Sequence, residues 1–181
     1  RDTRAILTDM NQPLGLAIGN NLEVIEAINT LNGHGPSDLV ELCINAGAIM
    51  LVQAQRVSSI EEGKEFLNKG VVAIDLAGPE EEGFARTYER AMKLARGYGY
   101  NITIHAGEAA SGQNVIDCIN ILKAQRIGHG VRIKDMKEAY NLVKESKVIL
   151  EMCPTSNIQT KTVENFSEYP LYDFYKDGIG V

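Results

Sequence analysis

Four short apolar runs, residues 71–77, 101–105, 126–129 and 148–152, alternate with stretches whose apolar residues recur at helical spacing. This alternation decides most of what the chain can fold into. Phe84, Tyr88, Ala91, Met92 and Ala95 share one helix face, as do Val115, Cys118, Ile119 and Leu122, and again Met136, Ala139, Tyr140 and Val143. A strand with one solvated face alternates apolar and polar residues. These runs are apolar nearly throughout, which predicts strands covered on both faces, a parallel sheet flanked by helices and an α/β architecture. Residues 178–181 read as the opening of a fifth strand. Each run gives way to polar or glycine-rich residues: Asp75-Leu76-Ala77-Gly78, His105-Ala106-Gly107-Glu108, Gly128-His129-Gly130 and Cys153-Pro154-Thr155-Ser156-Asn157. Carboxyl ends of parallel strands face one common mouth, so these four segments can converge on one ligand.

Before Lys69-Gly70 the pattern changes. Leu39, Leu42, Cys43, Ala46, Ile49 and Met50 form one helical stripe, started by Pro36-Ser37-Asp38. An earlier helix follows Gly19-Asn20 and carries Val24, Ile28 and Leu31, and Gly33-His34-Gly35 breaks it from the next. A third helix begins at Ser59, which Glu62 completes as a capping box. Only residues 4–8 read as a strand here. The chain therefore divides into a mainly helical segment, 1–69, and an α/β segment, 70–181. A formal charge of −6 and a pI near 5.1, with no run of Lys or Arg, argue against nucleic acid or an anionic membrane as a main partner. No apolar stretch approaches the roughly 18 residues a membrane span needs, and no signal peptide opens the sequence. Cys43, Cys118 and Cys153 are odd in number and outside any C-x-x-C pair, which reads as reduced thiols of a cytoplasmic protein.

Three histidines bound the chemistry: His34, His105 and His129. His105 ends a strand, and Glu108, past a flexible Ala-Gly, can approach the same point from the side. A neutral imidazole suits zinc, and a carboxyl that need not touch the metal can carry a proton. A lone strand-end histidine is more often a hydrogen-bonded structural residue, and the four-residue spelling with Glu108 weighs against that. His129, bracketed by glycines, either orients or deprotonates a metal-bound water or fills a loop. Asp75 could hold a neighbouring histidine by a hydrogen bond, or cap a turn. Gly78 offers a bare backbone N–H to a ligand edge. Ser156 and Asn157 read as turn formers, and His34 as a solvated turn residue.

At VVAIDLAGPEEEGF, ITIHAGEA, RIGHGVR and LEMCPTSNIQT the segment from about Gly70 to Val181 resembles adenosine deaminase, four motifs in order over roughly 110 residues. The resemblance implies a (β/α)8 barrel of the TIM type with one zinc. Such enzymes serve purine salvage, hydrolysing adenosine and deoxyadenosine to inosine and deoxyinosine plus ammonia. It further implies that His105 is a zinc ligand, that Glu108 protonates purine N1, that His129 assists a zinc-bound hydroxide, and that the Gly78 amide meets the purine ring. Zinc lowers the pKa of its water from 15.7 to about 7, and a proton at N1 offsets the charge built by attack at C6.

Residues 1–69 resemble a different enzyme, pyrimidine-nucleoside (thymidine) phosphorylase, through TDMNQPLGLAIGNNLEVIEAI and the Gly-x-Gly-Pro loop that follows. That resemblance implies potassium on the backbone carbonyls of Leu14 and Ala17 and the Glu26 carboxylate. Oxygen-only ligands suit a hard cation, and a solvated Glu26 is the alternative. The deaminase family also takes two zinc histidines from a His-x-His on its first strand and an aspartate after its eighth. Residues 1–69 contain no His-x-His, and the sequence ends at Gly178-Ile179-Gly180-Val181. A barrel of this kind usually needs about 250 residues. The expectation is a partial barrel of four to five strands joined, as in a chimera, to a phosphorylase piece, with little deamination by this chain alone. The rivals are a phosphorylase fragment acting on thymidine or uridine, and a non-catalytic α/β module that self-associates through open sheet edges.

Overall fold

A computed structural model describes residues 3–9, 11–67, 70 and 72–181. Arg1, Met10, Lys69 and Val71, which the sequence reading uses for the ends of the first segment, its motif, the joint and the start of the first apolar run, lie outside the described residues. The chain divides into two compact units, Arg1–Val72 and Ala73–Val181.

The first unit is helical. Its helices are α1 (Asn20–Leu31), α2 (Ser37–Gln53) and α3 (Ile60–Leu67). Ser59 Oγ accepts the Glu62 N–H at 3.1 Å, as a capping box requires, but the Glu62 carboxylate answers Ser58 instead, taking its N–H at 2.8 Å and its hydroxyl at 2.6 Å. Only Ile28, Ala48 and Gly63 are buried among the described residues of this unit. A Cβ at Gly63 would sit 3.0 Å from the Ala48 Cα, so glycine lets α3 lie close on α2. The strand expected at residues 4–8 does not form: residues 3–9 have no regular structure and are exposed, Leu7 fully. A strand needs a neighbour for its backbone groups, and the described residues of this unit offer no sheet.

The second unit is built on β1 (Ala73–Leu76), β2 (Asn101–Ala106), β3 (Arg126–His129) and β4 (Ile149–Glu151), parallel and adjacent in chain order. Helices α4 (Ala85–Gly97), α5 (Gly112–Asp117) and α6 (Lys137–Ser146) link them, as right-sized crossovers for parallel strands. Ile102, Ile104, Ala106, Ile127 and Leu150 share one face of the sheet and are buried there, and Ala91, Met92, Ala95, Val115 and Leu122 are buried on the linking helices and turn. The other face leaves Ala73, Asp75, Asn101, Arg126 and Ile149 exposed, so the expected cover on both faces is not present among the described residues. This is the parallel sheet with helices expected from the periodicity, and it fits the partial (β/α)8 barrel that the resemblance implies. Two further details differ. Cys118–Leu122 widens into a π-helical turn after α5. The fifth strand is reduced to one parallel bridge, Ile149 with Gly180, where the Leu150 N–H donates to the Gly180 carbonyl at 2.9 Å. Short helices α7 (Pro154–Gln159) and α8 (Leu171–Lys176) follow β4. Among the described residues no helix is long and apolar enough to cross a membrane.

Candidate active site at the carboxyl ends of the strands

Register brings the polar residues together. His105 on β2 pairs with Gly128 on β3, and Ala106 with His129. A Cβ at Gly128 would land on the His105 ring, so glycine there clears the space in which the imidazole lies. The His105 Nε2 stands 3.3 Å from Asp75 Oδ2, which leaves Nδ1 as the nitrogen turned elsewhere. His129 takes the left-handed backbone conformation itself, at φ 69°, as does Gly130 at φ 68°. Its ring meets that of His105 edge-on, with centroids 5.2 Å apart, and is only 7% exposed.

Glu108 joins them. Its Oε2 is 3.3 Å from His129 Nε2, and its Oε1 accepts from the Asn157 amide at 3.0 Å and the Thr160 hydroxyl at 3.2 Å. Asn157, on α7 and fully buried, also donates to His129 Nδ1 at 2.9 Å and accepts from the Tyr169 hydroxyl at 3.0 Å. Burial first, then the charges at Cys153 and Glu108, pushes the Tyr169 hydroxyl up to about 12, so it keeps its proton and donates.

The turn that carries Glu108 is clamped from the β1 exit. Glu80 Oε1 accepts the Gly107 N–H at 2.6 Å, and Oε2 accepts those of Glu108, Ala109 and Ala110 at 3.0, 2.8 and 3.1 Å. Asn114 Nδ2 adds a bond at 3.1 Å. Burial pushes the Glu80 carboxyl up, but the N–H groups of Ala110 and Gly107, the Asn114 amide and the Glu108 N–H outweigh it, leaving the group below the ordinary value. Glu82 holds the next residue, Ser111, through its N–H at 2.8 Å and hydroxyl at 3.0 Å. On the far side Arg132 donates its N–H to the Gly107 carbonyl at 2.8 Å and Nε to that of Glu108 at 3.3 Å.

His105, Asp75, Glu108 and His129 thus stand in one connected group, and Gly78 lies two residues before the Glu80 clamp, with open space where a Cβ would be. Leu14, Ala17 and Glu26 belong to the first unit, where Glu26 Oε1 accepts the Leu16 N–H at 2.9 Å. Sequence reasoning missed Glu80, Thr160 and Tyr169 and took Asn157 for a turn former. Asn157 stands inside α7, a short helix the sequence analysis did not foresee because Cys153-Pro154-Thr155-Ser156-Asn157 reads as the turn after a strand. The donor set does not complete a metal site: among the described residues no three His, Cys, Asp or Glu side chains gather around a point, whereas a catalytic zinc takes three protein ligands.

The family profile described as adenosine deaminase matches residues 20–181, which takes in α1 to α3 as well as the second unit. The chain is 60% identical over 122 residues, 67% of its length, to an adenosine deaminase of Clostridium perfringens (strain 13 / Type A), and spans 37% of that relative. An N6-methyl-AMP deaminase of Arabidopsis thaliana superposes with a TM-score of 0.56 at 29% identity, over 67% of this chain and 35% of that one. An adenine deaminase of Arthrobacter aurescens, at TM-score 0.58 and 24% identity over 64% of this chain and 37% of that one, shows the fold alone.

Proposed function

The chain belongs to the adenosine deaminase family, and from that premise we propose that its second unit carries the proton-handling side of a purine-nucleoside deaminase site. The reaction is addition of water at C6 of adenosine or deoxyadenosine and loss of ammonia, giving inosine or deoxyinosine. The observation that supports it best is the seating of Glu108: one carboxyl, fixed by the Glu80 clamp behind it and by Asn157, Thr160 and His129 around it. In its protonated form a carboxyl aimed so can deliver a proton to purine N1 while C6 is attacked. His129, touching that carboxyl, would orient the attacking water. Gly78 would present its N–H to the purine edge, and Asp75 would fix the His105 ring. His105 would give one ligand to a family zinc, and among the described residues no group of three His, Cys, Asp or Glu side chains stands ready to hold that metal.

Loss of adenine absorbance with zinc supplied tests this. With one metal imidazole in the group, at most trace turnover is expected from this chain alone, rising when a polypeptide bearing the His-x-His strand is mixed in. Equal turnover by Glu108→Gln in that mixture would overturn the assignment. Three free cysteines, with Cys118 buried, support a reducing, cytoplasmic setting. The edge of β1, which pairs only with β2 among the described residues, supports self-association.

For residues 1–69 the specific observation is the Glu26 carboxylate seated against the 14–17 turn, where Leu16 donates to it. This supports a phosphorylase-like potassium site using the carbonyls of Leu14 and Ala17. A melting midpoint that rises in potassium over sodium at equal ionic strength, and not in Glu26→Gln, would support it; no difference would remove it. Phosphate-dependent release of thymine or uracil is not expected.

A further inference from the structure

One side chain touches both Glu108 and His129, and the deaminase reading gives it no part. A primary amide has two N–H donors and one strong acceptor. Asn157 uses all three inside the protein: to Glu108 Oε1 at 3.0 Å, to His129 Nδ1 at 2.9 Å, and from the Tyr169 hydroxyl at 3.0 Å. The amide turned over would set its carbonyl oxygen against a carboxylate oxygen, acceptor against acceptor, in a fully buried place where a lost hydrogen bond is costly. The observed orientation is therefore fixed by its neighbours. It makes Nδ1 of His129 an acceptor and leaves the ring proton on Nε2, the nitrogen 3.3 Å from Glu108 Oε2.

We infer that Asn157 is a positioning residue that sets the proton-carrying nitrogen of His129 and the aim of Glu108 together. Donors run in one direction, from Tyr169 through Asn157 and His129 to Glu108, with Thr160 as a second donor at the same carboxylate. Backbone bonds hold Asn157 in place: its N–H donates to the Cys153 carbonyl at 2.9 Å, and its carbonyl accepts the Val163 N–H at 3.1 Å. The side chain is thus anchored independently of the two groups it orients. Only the kinetic consequence rests on the deaminase reading; the state of the ring does not.

Imidazole nitrogen NMR on the 181-residue chain tests this. The expected result is a Nε2–H ring at His129, with a scalar coupling across the N–H···N bond between the Asn157 amide and Nδ1. In Asn157→Asp the donor is lost and an acceptor takes its place, so Nδ1 should gain the proton while the sheet amides keep their dispersion. A Nδ1–H ring in the unsubstituted chain, or an unchanged Nε2–H ring in a folded Asn157→Asp, would overturn the inference. Should Asn157→Asp fail to fold, presence or absence of the coupling in the unsubstituted chain decides. In a preparation that deaminates, Asn157→Asp should lower kcat roughly tenfold to a hundredfold with KM little changed. Deamination with a Nδ1–H ring sinks the positioning role alone. The coupling, with no deamination even when the polypeptide bearing the His-x-His strand is mixed in, sinks the function reading alone.

Discussion

A carboxylate that accepts four consecutive backbone N–H groups acts as a clamp, and Glu80 does so for the turn that presents Glu108. Its charge is part of the fold. Because its folded pKa lies below the ordinary 4.5, the stability it contributes is present above that value and is lost as pH falls through the lower folded one. Glu80→Gln should cost about 1.5–3 kcal/mol at neutral pH, a range set by hydrogen bonds to charged groups. It should also flatten this acid part of the urea-midpoint profile; a variant with the same acid slope as the parent would exclude the clamp. Glu80 was hidden in the sequence because Glu80-Glu81-Glu82 reads as a solvated charge run, and its partners are backbone amides some thirty positions on, which leave no side-chain signature. His105, Glu108 and His129 could be singled out because they stand at or just past strand ends, within two residues of a glycine, where parallel strands open on a common mouth.

At the scale of elements, the strands were the most legible part, since short apolar runs alternating with helical stripes have few homes other than a parallel sheet flanked by helices. The π-helical turn at Cys118–Leu122 left no trace, because its apolar residues fit the periodic pattern of an ordinary helix. Residues 4–8 had strand composition without a neighbour to pair with, which shows pairing, and not propensity, deciding. The contact between β2 and β3 is specific enough to test. Gly128→Ala would drive a methyl into the His105 ring, so a loss of about 1–3 kcal/mol and a displaced His105 ring resonance are expected. Thermal melting and the ring proton shifts of His105 check this, and an unshifted ring in a folded variant would contradict it. In the first unit Ser59→Ala should cost about 1 kcal/mol of α3 stability, read by helical ellipticity on heating.

At the scale of the whole molecule, the two units are unequally packed. The second buries Ile102, Ile104, Ile127, Leu150 and Phe174, whereas in the first only Ile28, Ala48 and Gly63 are buried among the described residues. Hydrogen exchange should accordingly fade from α1 to α3 first and persist longest in β2 and β3; equal protection in both units would contradict this. The chain spans 37% of the length of the Clostridium perfringens relative, so what it holds of the site is the part set on β1 to β4. On the proposed function, this part receives a 6-aminopurine nucleoside at Gly78, Glu108 and His129. Amide and imidazole NMR during titration with adenosine, inosine and thymidine measures it directly. Saturable shifts at those three residues with adenosine and inosine, weakened in Glu108→Gln and absent with thymidine, are the predicted result; a silent mouth, or thymidine shifting it equally, would contradict the account.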